Sequence, residues 1–391
     1  MPDHPRSGDR HPAGRPRRPA APRGGRAAVS EQNGRVPAAV ADRIAPAEPG
    51  EETAAARRRR ALLRVAGLVV AAVVLVVLAA LSIRVGVRSI PLGTVRDVLL
   101  GTPGTDPDAV RIVLGLRVPR TLVGIVAGVC LGLAGAIMQG LTRNPLADPG
   151  LFGVDIGAAL AIVLAISLLG VRTPDGYVWF AFVGAGVAAV LVYLLGSTGR
   201  SVAPEKMVLA GAAVSVTLGA IVSGVLILDG VTFDVYRFWA VGSLAGRGPD
   251  VLVAVLPFAV AGVLLAVALA RPLNSLALGE DVASALGVNL ALTRTGAAIA
   301  VTLLAGAATA AAGPIVFVGL AVPHLARLLV GPDQRWVVGY SLLLAPVLLV
   351  GADVLGRVVS GTGEIEVGIV TAVLGAPVFL ALARRRRVAQ L

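Results

Sequence analysis

"GPIVFVGLAVPHLARLL", residues 313–329, is apolar enough for a membrane segment, yet it carries two prolines, two glycines, a histidine and an arginine. On either side of it lie apolar runs of about twenty residues, the length that crosses roughly 30 Å of hydrocarbon. The runs are continuous rather than alternating, so they read as helices and not as barrel strands. Of the 391 residues 56% are hydrophobic and 15% charged, against about a quarter charged in a soluble domain. The fold class is therefore an all-α integral membrane protein, and a large soluble helical core is excluded.

Ten helices are expected, at 61–83, 118–140, 151–170, 177–196, 206–228, 250–270, 291–311, 314–329, 337–356 and 367–384. An even count puts both termini on one side. Arg57–Arg60 and Arg384–Arg387 flank the first and last helices, and basic flanks mark that side as cytoplasmic. Arg84, Arg88, Arg96, Arg111, Arg117 and Arg120 then fall outside, between helices one and two, and need another purpose. The net charge of +12 is uneven: residues 1–64 hold 14 Arg against 7 Asp and Glu. Residues 1–60 read as a basic, disordered cytoplasmic tail. It reads first as a solvated tail that helps set topology, with attraction to anionic lipid at the cytoplasmic face as the alternative. A basic stretch before an apolar run also resembles a secretion signal, but this run is long for one, and an uncleaved helix is expected. Cys130 is the only cysteine, so no disulfide framework or cysteine metal site exists, and it reads as a small packing residue.

Two helices are dense in Gly and Ala, "GVCLGLAGAIMQG" (128–140) and "AGAATAAAGP" (305–314). Small residues allow helices to approach closely in lipid. Each leads into a break, the first at "TRNPLADPG" (142–150) and the second at the opening stretch. The two helices run in opposite directions, so matching breaks point to inverted-repeat halves around a pathway. Pro145, Pro314 and Pro323 are the broken-helix prolines, with Pro314 expected to start a helix at little cost. Pro323 frees a carbonyl that a neighbouring helix must shelter.

Chemistry is sparse. Asp353 and Arg357 are four apart and can pair on one helix face. Asp148 and Asp155 sit near helix ends. A proton-driven secondary transporter would need more intramembrane carboxylates. Lys206 is the only lysine and there is no G-x-x-x-x-G-K-[ST] loop, so ATP must be bound by another chain if it is used. His4, His11 and His324 form no metal-binding or nucleophile-activating pair, and His324 reads as structural or interfacial. No metal site and no enzyme are expected. A non-transporting structural membrane protein is a further possibility at this point.

"LRVPRTL" (116–122), "GAIMQGLTRNPLADPGLFGVDIGAALA" (135–161), "LALGEDVASALGV" (276–288), "GPIVFVGLAVPHLARLLVGPDQR" (313–335) and "LGAPVFLALARR" (374–385) together resemble the FecCD family, permease subunits of ABC importers for ferric siderophores, haem and vitamin B12. The resemblance covers residues 61–386. It implies a type II ABC importer permease with ten helices that works as a dimer, either of two copies or with a sister permease. The implied partners are cytoplasmic ABC ATPase subunits, which use ATP and Mg, and an extracytoplasmic substrate-binding lipoprotein. No cofactor on this chain and no nucleic acid are implied. The implied location is the cytoplasmic membrane, multi-pass, and the implied cargo is a ferric siderophore, with haem or cobalamin as alternatives.

By the same resemblance, residues 274–288 form the cytoplasmic segment that docks into the ATPase, matched by Leu278, Gly279, Glu280, Ala283, Leu286 and Gly287. Arg117, Arg120 and Arg357 match positions that receive acidic groups of the binding protein, although Asp353 could instead neutralise Arg357 within the bundle. Pro204 and Glu205 fall by position at the cytoplasmic gate, where they would replace the family's small hydroxyl residues. At Glu366 the family often has proline, and no role is assigned there.

Overall fold

The computed structural model describes residues 54–86, 90–196, 204–360 and 363–384. Most of the expected tail, Arg88 and Arg385–Arg387 lie outside the described residues. The first helix, α1 (Ala54–Arg84), starts earlier than expected and takes in Arg57–Arg60. Ala and Arg are strong helix formers, so nothing stops the helix at the edge of the apolar run. Two short helices follow, α2 (Leu92–Leu99) and α3 (Pro107–Ile112), in a stretch read as connector. They are too short to show a period in sequence. They close a small apolar cluster of Ile90, Val95, Val98, Ala109 and Val113.

One π turn, Val113–Arg117, leads into α4 (Val118–Thr142). This Gly/Ala-rich helix is the hub and packs against four helices: α9 (Pro249–Ala277), α11 (Leu290–Ala312), α12 (Val318–Val330) and α13 (Gln334–Val359). Its span is 78% buried where that of α1 is 11% buried. After a 3-10 turn, Pro149–Phe152, come α5 (Val154–Leu169), α6 (Pro174–Gly196), α7 (Pro204–Leu228) and α8 (Gly230–Ala240). The expected start of the third helix at 151 is therefore two elements, divided by Gly153 in the left-handed region. Helix α8 was not expected. It is capped by Asp229, whose carboxylate accepts from Val231 and Thr232 N–H. Helix α9 runs past its expected end through Pro272 because Leu273 and Leu276 are buried there, and that burial outweighs the proline's lost hydrogen bond. The short α10 (Glu280–Ala285) and the last helix, α14 (Val367–Arg384), complete the chain.

Among the described residues seven helices are long and apolar enough to cross a membrane. Helices α5, α12 and the first part of α14 are shorter apolar segments. Together these are the ten elements expected from hydropathy. The outside is apolar: Leu62, Val70, Val76, Val183, Val187 and Leu228 are all more than half exposed. Water would not tolerate such a surface, while hydrocarbon does.

Candidate functional site

Three features at different heights of the bundle bring the singled-out residues together. The first is α10, two turns held between Gly279 (φ +106) and Gly287 (φ +80). A Cβ on Gly287 would meet nothing within 4 Å, so the backbone conformation, not crowding, calls for glycine. Ala283 is fully buried and anchors the helix. Leu278, Val282 and Leu286 are 64%, 46% and 62% exposed, and Leu292 beside them 70%. Val282 was not singled out within the matched stretch, and Leu292 lies beyond its end. Glu280 is turned back to the bundle, where its Oε1 accepts from Arg294 Nη2 at 2.5 Å.

The second feature joins the two helix breaks. A Cβ on Gly135 would lie 2.7 Å from the Cα of Gly319 and overlap its carbonyl oxygen. Gly319 in turn faces the Leu131 carbonyl and Pro149, so both breaks and α4 meet at one point. Pro323 removes the N–H that would bind the Gly319 carbonyl. Gln139 replaces it from α4: its Nε2 donates to the carbonyls of Gly319 (3.4 Å) and Leu320 (3.1 Å). The same side chain accepts from Arg327 Nη1 through Oε1. The sheltering group expected from a neighbouring helix is therefore Gln139. Replacing Gln139 with leucine should lower stability by about 1–3 kcal/mol, since it strands two carbonyls and a guanidinium. A thermal melt in detergent measures this, and a melt unchanged from wild type would show the carbonyls find other partners.

The expectation for Pro314 is corrected. Helix α12 begins at Val318; residues 313–316 are non-helical, Gly313 has φ +78 and Phe317 has φ +69. Helix α11 ends at Gly313 and the Pro314 carbonyl packs against Gly242, so the proline sits in the break and does not open a helix. Pro145 does stand in a turn just after α4, following Arg143 in the left-handed C-cap position, with the Leu146 N–H donating to Asn144 Oδ1 at 2.9 Å. Asp148 caps the Gly150 N–H at 2.8 Å and Asp155 accepts from Thr309 at 2.7 Å, so both carboxylates hold the first break in shape. His324 is half-buried on α12. Cys130 is fully buried in the core. Helix α7 opens at Pro204, but the side chains of Pro204 and Glu205 lie outside the described residues.

The third feature, at the end of the bundle away from α10, is a cavity of about 400 Å³ lined by Arg117, Arg120, Arg247, Arg357 and Glu364. The three arginines expected at an outer docking surface are thus brought together, but not as free groups. Arg117 and Arg357 are each 7% exposed. Arg117 Nη1 donates to the carbonyls of Ile83 (2.9 Å) and Arg84 (2.6 Å). Arg357 donates to Ser82 and Val85 of α1's end and pairs with Asp353 at 2.7 Å, the i,i+4 pair expected from spacing. Arg120 bridges Asp353 and Glu364, each at 2.7 Å. Arg247, which no motif signalled, donates to the Tyr177 hydroxyl at 3.0 Å. Buried guanidinia need such partners because uncompensated charge is costly away from water. Asp353→Ala should therefore destabilise by about 3–5 kcal/mol, since it leaves the buried Arg357 without a counter-charge and Arg120 with Glu364 alone. Glu364→Gln, at a half-exposed group, should change stability by less than about 1 kcal/mol. Paired detergent melts test the contrast, and equal losses would contradict the assigned burial.

Among the described residues no three His, Cys, Asp or Glu side chains gather as a metal cage. A family model described as the FecCD transport family matches residues 74–385. The chain is 46% identical over 312 residues to the ferric enterobactin transport system permease protein FepD of Escherichia coli (strain K12), covering 79% of this chain and 92% of that protein. It is 41% identical over 276 residues to the Fe(3+)-citrate import system permease protein YfmD of Bacillus subtilis (strain 168), covering 71% and 82%. A solved structure described as a metal-chelate type ABC transporter in an inward-facing conformation superposes with a TM-score of 0.71 at 28% identity, covering 81% of this chain and 98% of that one.

Proposed function

The chain belongs to the FecCD transport family, and from that premise we propose that it is the permease subunit of an ATP-driven importer carrying a ferric siderophore across the cytoplasmic membrane. The observation that carries this reading is α10, a two-turn helix between two left-handed glycines that exposes leucines beside a buried Ala283. An apolar, glycine-bounded knob at the end of a membrane bundle suits a soluble partner, and an ATPase subunit is the partner proposed. ATP and Mg belong to that partner, because this chain has no phosphate-cradling loop, and this chain is not itself the enzyme.

The orientation follows from the basic flank of α1, which favours the cytoplasm. Arg64 near that flank donates to the Val330 carbonyl at 2.8 Å, and Asp333 at the start of α13 accepts from Asn274 near the end of α9. Helix α10 follows α9 directly, so it shares the proposed cytoplasmic side with the start of α1. The arginine-lined cavity then faces outward. Four guanidinia there meet two carboxylates, Asp353 and Glu364. The positive excess supports docking of an acidic surface of a substrate-binding lipoprotein, with Arg120 and Glu364 as its most accessible pair. Charge of this kind sets orientation and encounter rate. A second permease copy or a sister permease completes the pathway.

Both iron-chelate relatives support iron as the cargo. The test is uptake of radioiron-loaded siderophores, labelled haem and labelled cobalamin in a deletion strain and its complemented parent. Loss of iron uptake alone is expected. Loss of haem or cobalamin uptake alone would change the cargo and keep the machine, and no change in any of the three would sink the reading.

A further inference from the structure

Glu280 lies within the proposed ATPase-coupling segment, yet its carboxylate faces the bundle. Its Oε1 is 2.5 Å from Arg294 Nη2 and 3.7 Å from Arg143 Nη2. Arg294 belongs to the first turns of α11, and Arg143 caps the end of α4. These are the two Gly/Ala-rich helices that run in opposite directions and lead into the two breaks. One carboxylate oxygen thus stands between cations from both halves.

Arg143 is unusual in a second way. Its backbone is left-handed (φ 50, ψ 31), and among the described residues only Phe317, in the other break, shares this without being glycine. A left-handed non-glycine residue is strained, so surrounding structure must hold it. From Arg143 the chain passes through the Asn144 turn and the Asp148 cap to Pro149, whose ring lies against Gly319. That path is short, turn-stabilised and ends at the contact of the two breaks.

We propose that Arg143 and Arg294 grip Glu280 as a latch, making Arg143 a positioning residue through which displacement of α10 reaches the α4–α5 break. The latch rests on the permease reading and specifies how its coupling segment is fastened. The arginine and glutamate side chains at α10 are 39% and 40% exposed, so their pairing contributes little to stability. Its consequence is geometric: the carboxylate holds the break in register with α10, and a shift of α10 moves the carboxylate relative to Arg143.

The test uses the complete importer, permease with its ATPase and binding protein, in proteoliposomes. The probes are radioiron-loaded enterobactin and ATP. Arg143→Gln should isolate with its ATPase at wild-type yield and with an unchanged melt, yet import per ATP hydrolysed should fall at least about five-fold. ATPase stimulation by loaded binding protein should fall with it. Glu280→Gln should show the same import-to-ATP ratio, and the double variant should be no worse than either single, as for residues acting through one contact. Arg143→Lys should recover most of the ratio. A wild-type ratio in Arg143→Gln, losses that add in the double variant, or loss of ATPase from the complex would each overturn the latch. If the wild-type complex hydrolyses ATP but does not import the probe, the cargo assignment fails and the latch is decided by ATPase stimulation. If no ATPase joins the wild-type chain, the permease reading falls, and the latch with it.

Discussion

Gly135→Leu is expected to abolish accumulation of the protein in the membrane. The Cβ alone would come within 2.7 Å of the Gly319 Cα and overlap its carbonyl oxygen. Both partners are backbone, so neither can rotate away. Leucine adds three further carbons to a contact already closed by Leu131, Pro149 and the Gln139 bonds to Gly319 and Leu320. Overpacking a well-filled core typically costs about 1–3 kcal/mol, and here the clash is with fixed backbone at the meeting point of three elements, so the loss should exceed that range. Membrane fractions probed for the chain measure it. Gly93→Leu, at a position where a Cβ meets nothing within 4 Å, is the control. Wild-type accumulation of Gly135→Leu would mean that the breaks do not press on α4 as the packing indicates.

Gly287→Arg should remove uptake while leaving the protein in the membrane. The position is open, so an arginine fits sterically within this chain. Two effects act against function. The φ of +80 strains any side chain, by roughly 1–2 kcal/mol. The new cation also stands in the apolar surface made by Leu278, Val282 and Leu286, where an approaching partner would have to desolvate it. The strain is local to the last turn of α10, which is exposed, so global stability should change little. Uptake and membrane level are measured together. Near-normal uptake with ATPase still bound would refute coupling through this segment. Gly287→Ala, which keeps the strain and omits the charge, separates the two effects: partial uptake points to desolvation as the larger.

Hydropathy was sufficient for the helix count. All ten apolar elements recur, eight with both ends within a few residues of their expected places, while α1 starts early and α9 ends late, because a bilayer demands a run of fixed length whatever the neighbours do. The family motifs carried the rest of the functional reading, and the short helix between Gly279 and Gly287 was legible from those two glycines. Amphipathic elements outside the bilayer core were not. Helices α2, α3 and α8 lack a long apolar run, and α9 passes its proline because of buried partners that no local window contains.

Side-chain direction was the larger gap. Motif position marked Arg117, Arg120, Arg357 and Glu280 as groups that meet other proteins. In the folded chain each is first engaged within its own bundle, by carbonyls of α1's end, by Asp353 and Glu364, or by Arg294. Spacing could show only the i,i+4 pair of Asp353 and Arg357. The other partners are separated by up to 275 residues in the chain, as with Arg357 and Ser82. Gln139 and Arg247 were invisible for the same reason: their roles come from the Gly319 carbonyl freed by Pro323 and a hydroxyl on α6, neither near them in sequence. By itself the sequence determined a helical membrane protein, its number of spans, its two breaks and its family. Only the tertiary structure decided what each polar side chain binds, because a buried charge is settled by whichever distant group the packing brings within about 3 Å.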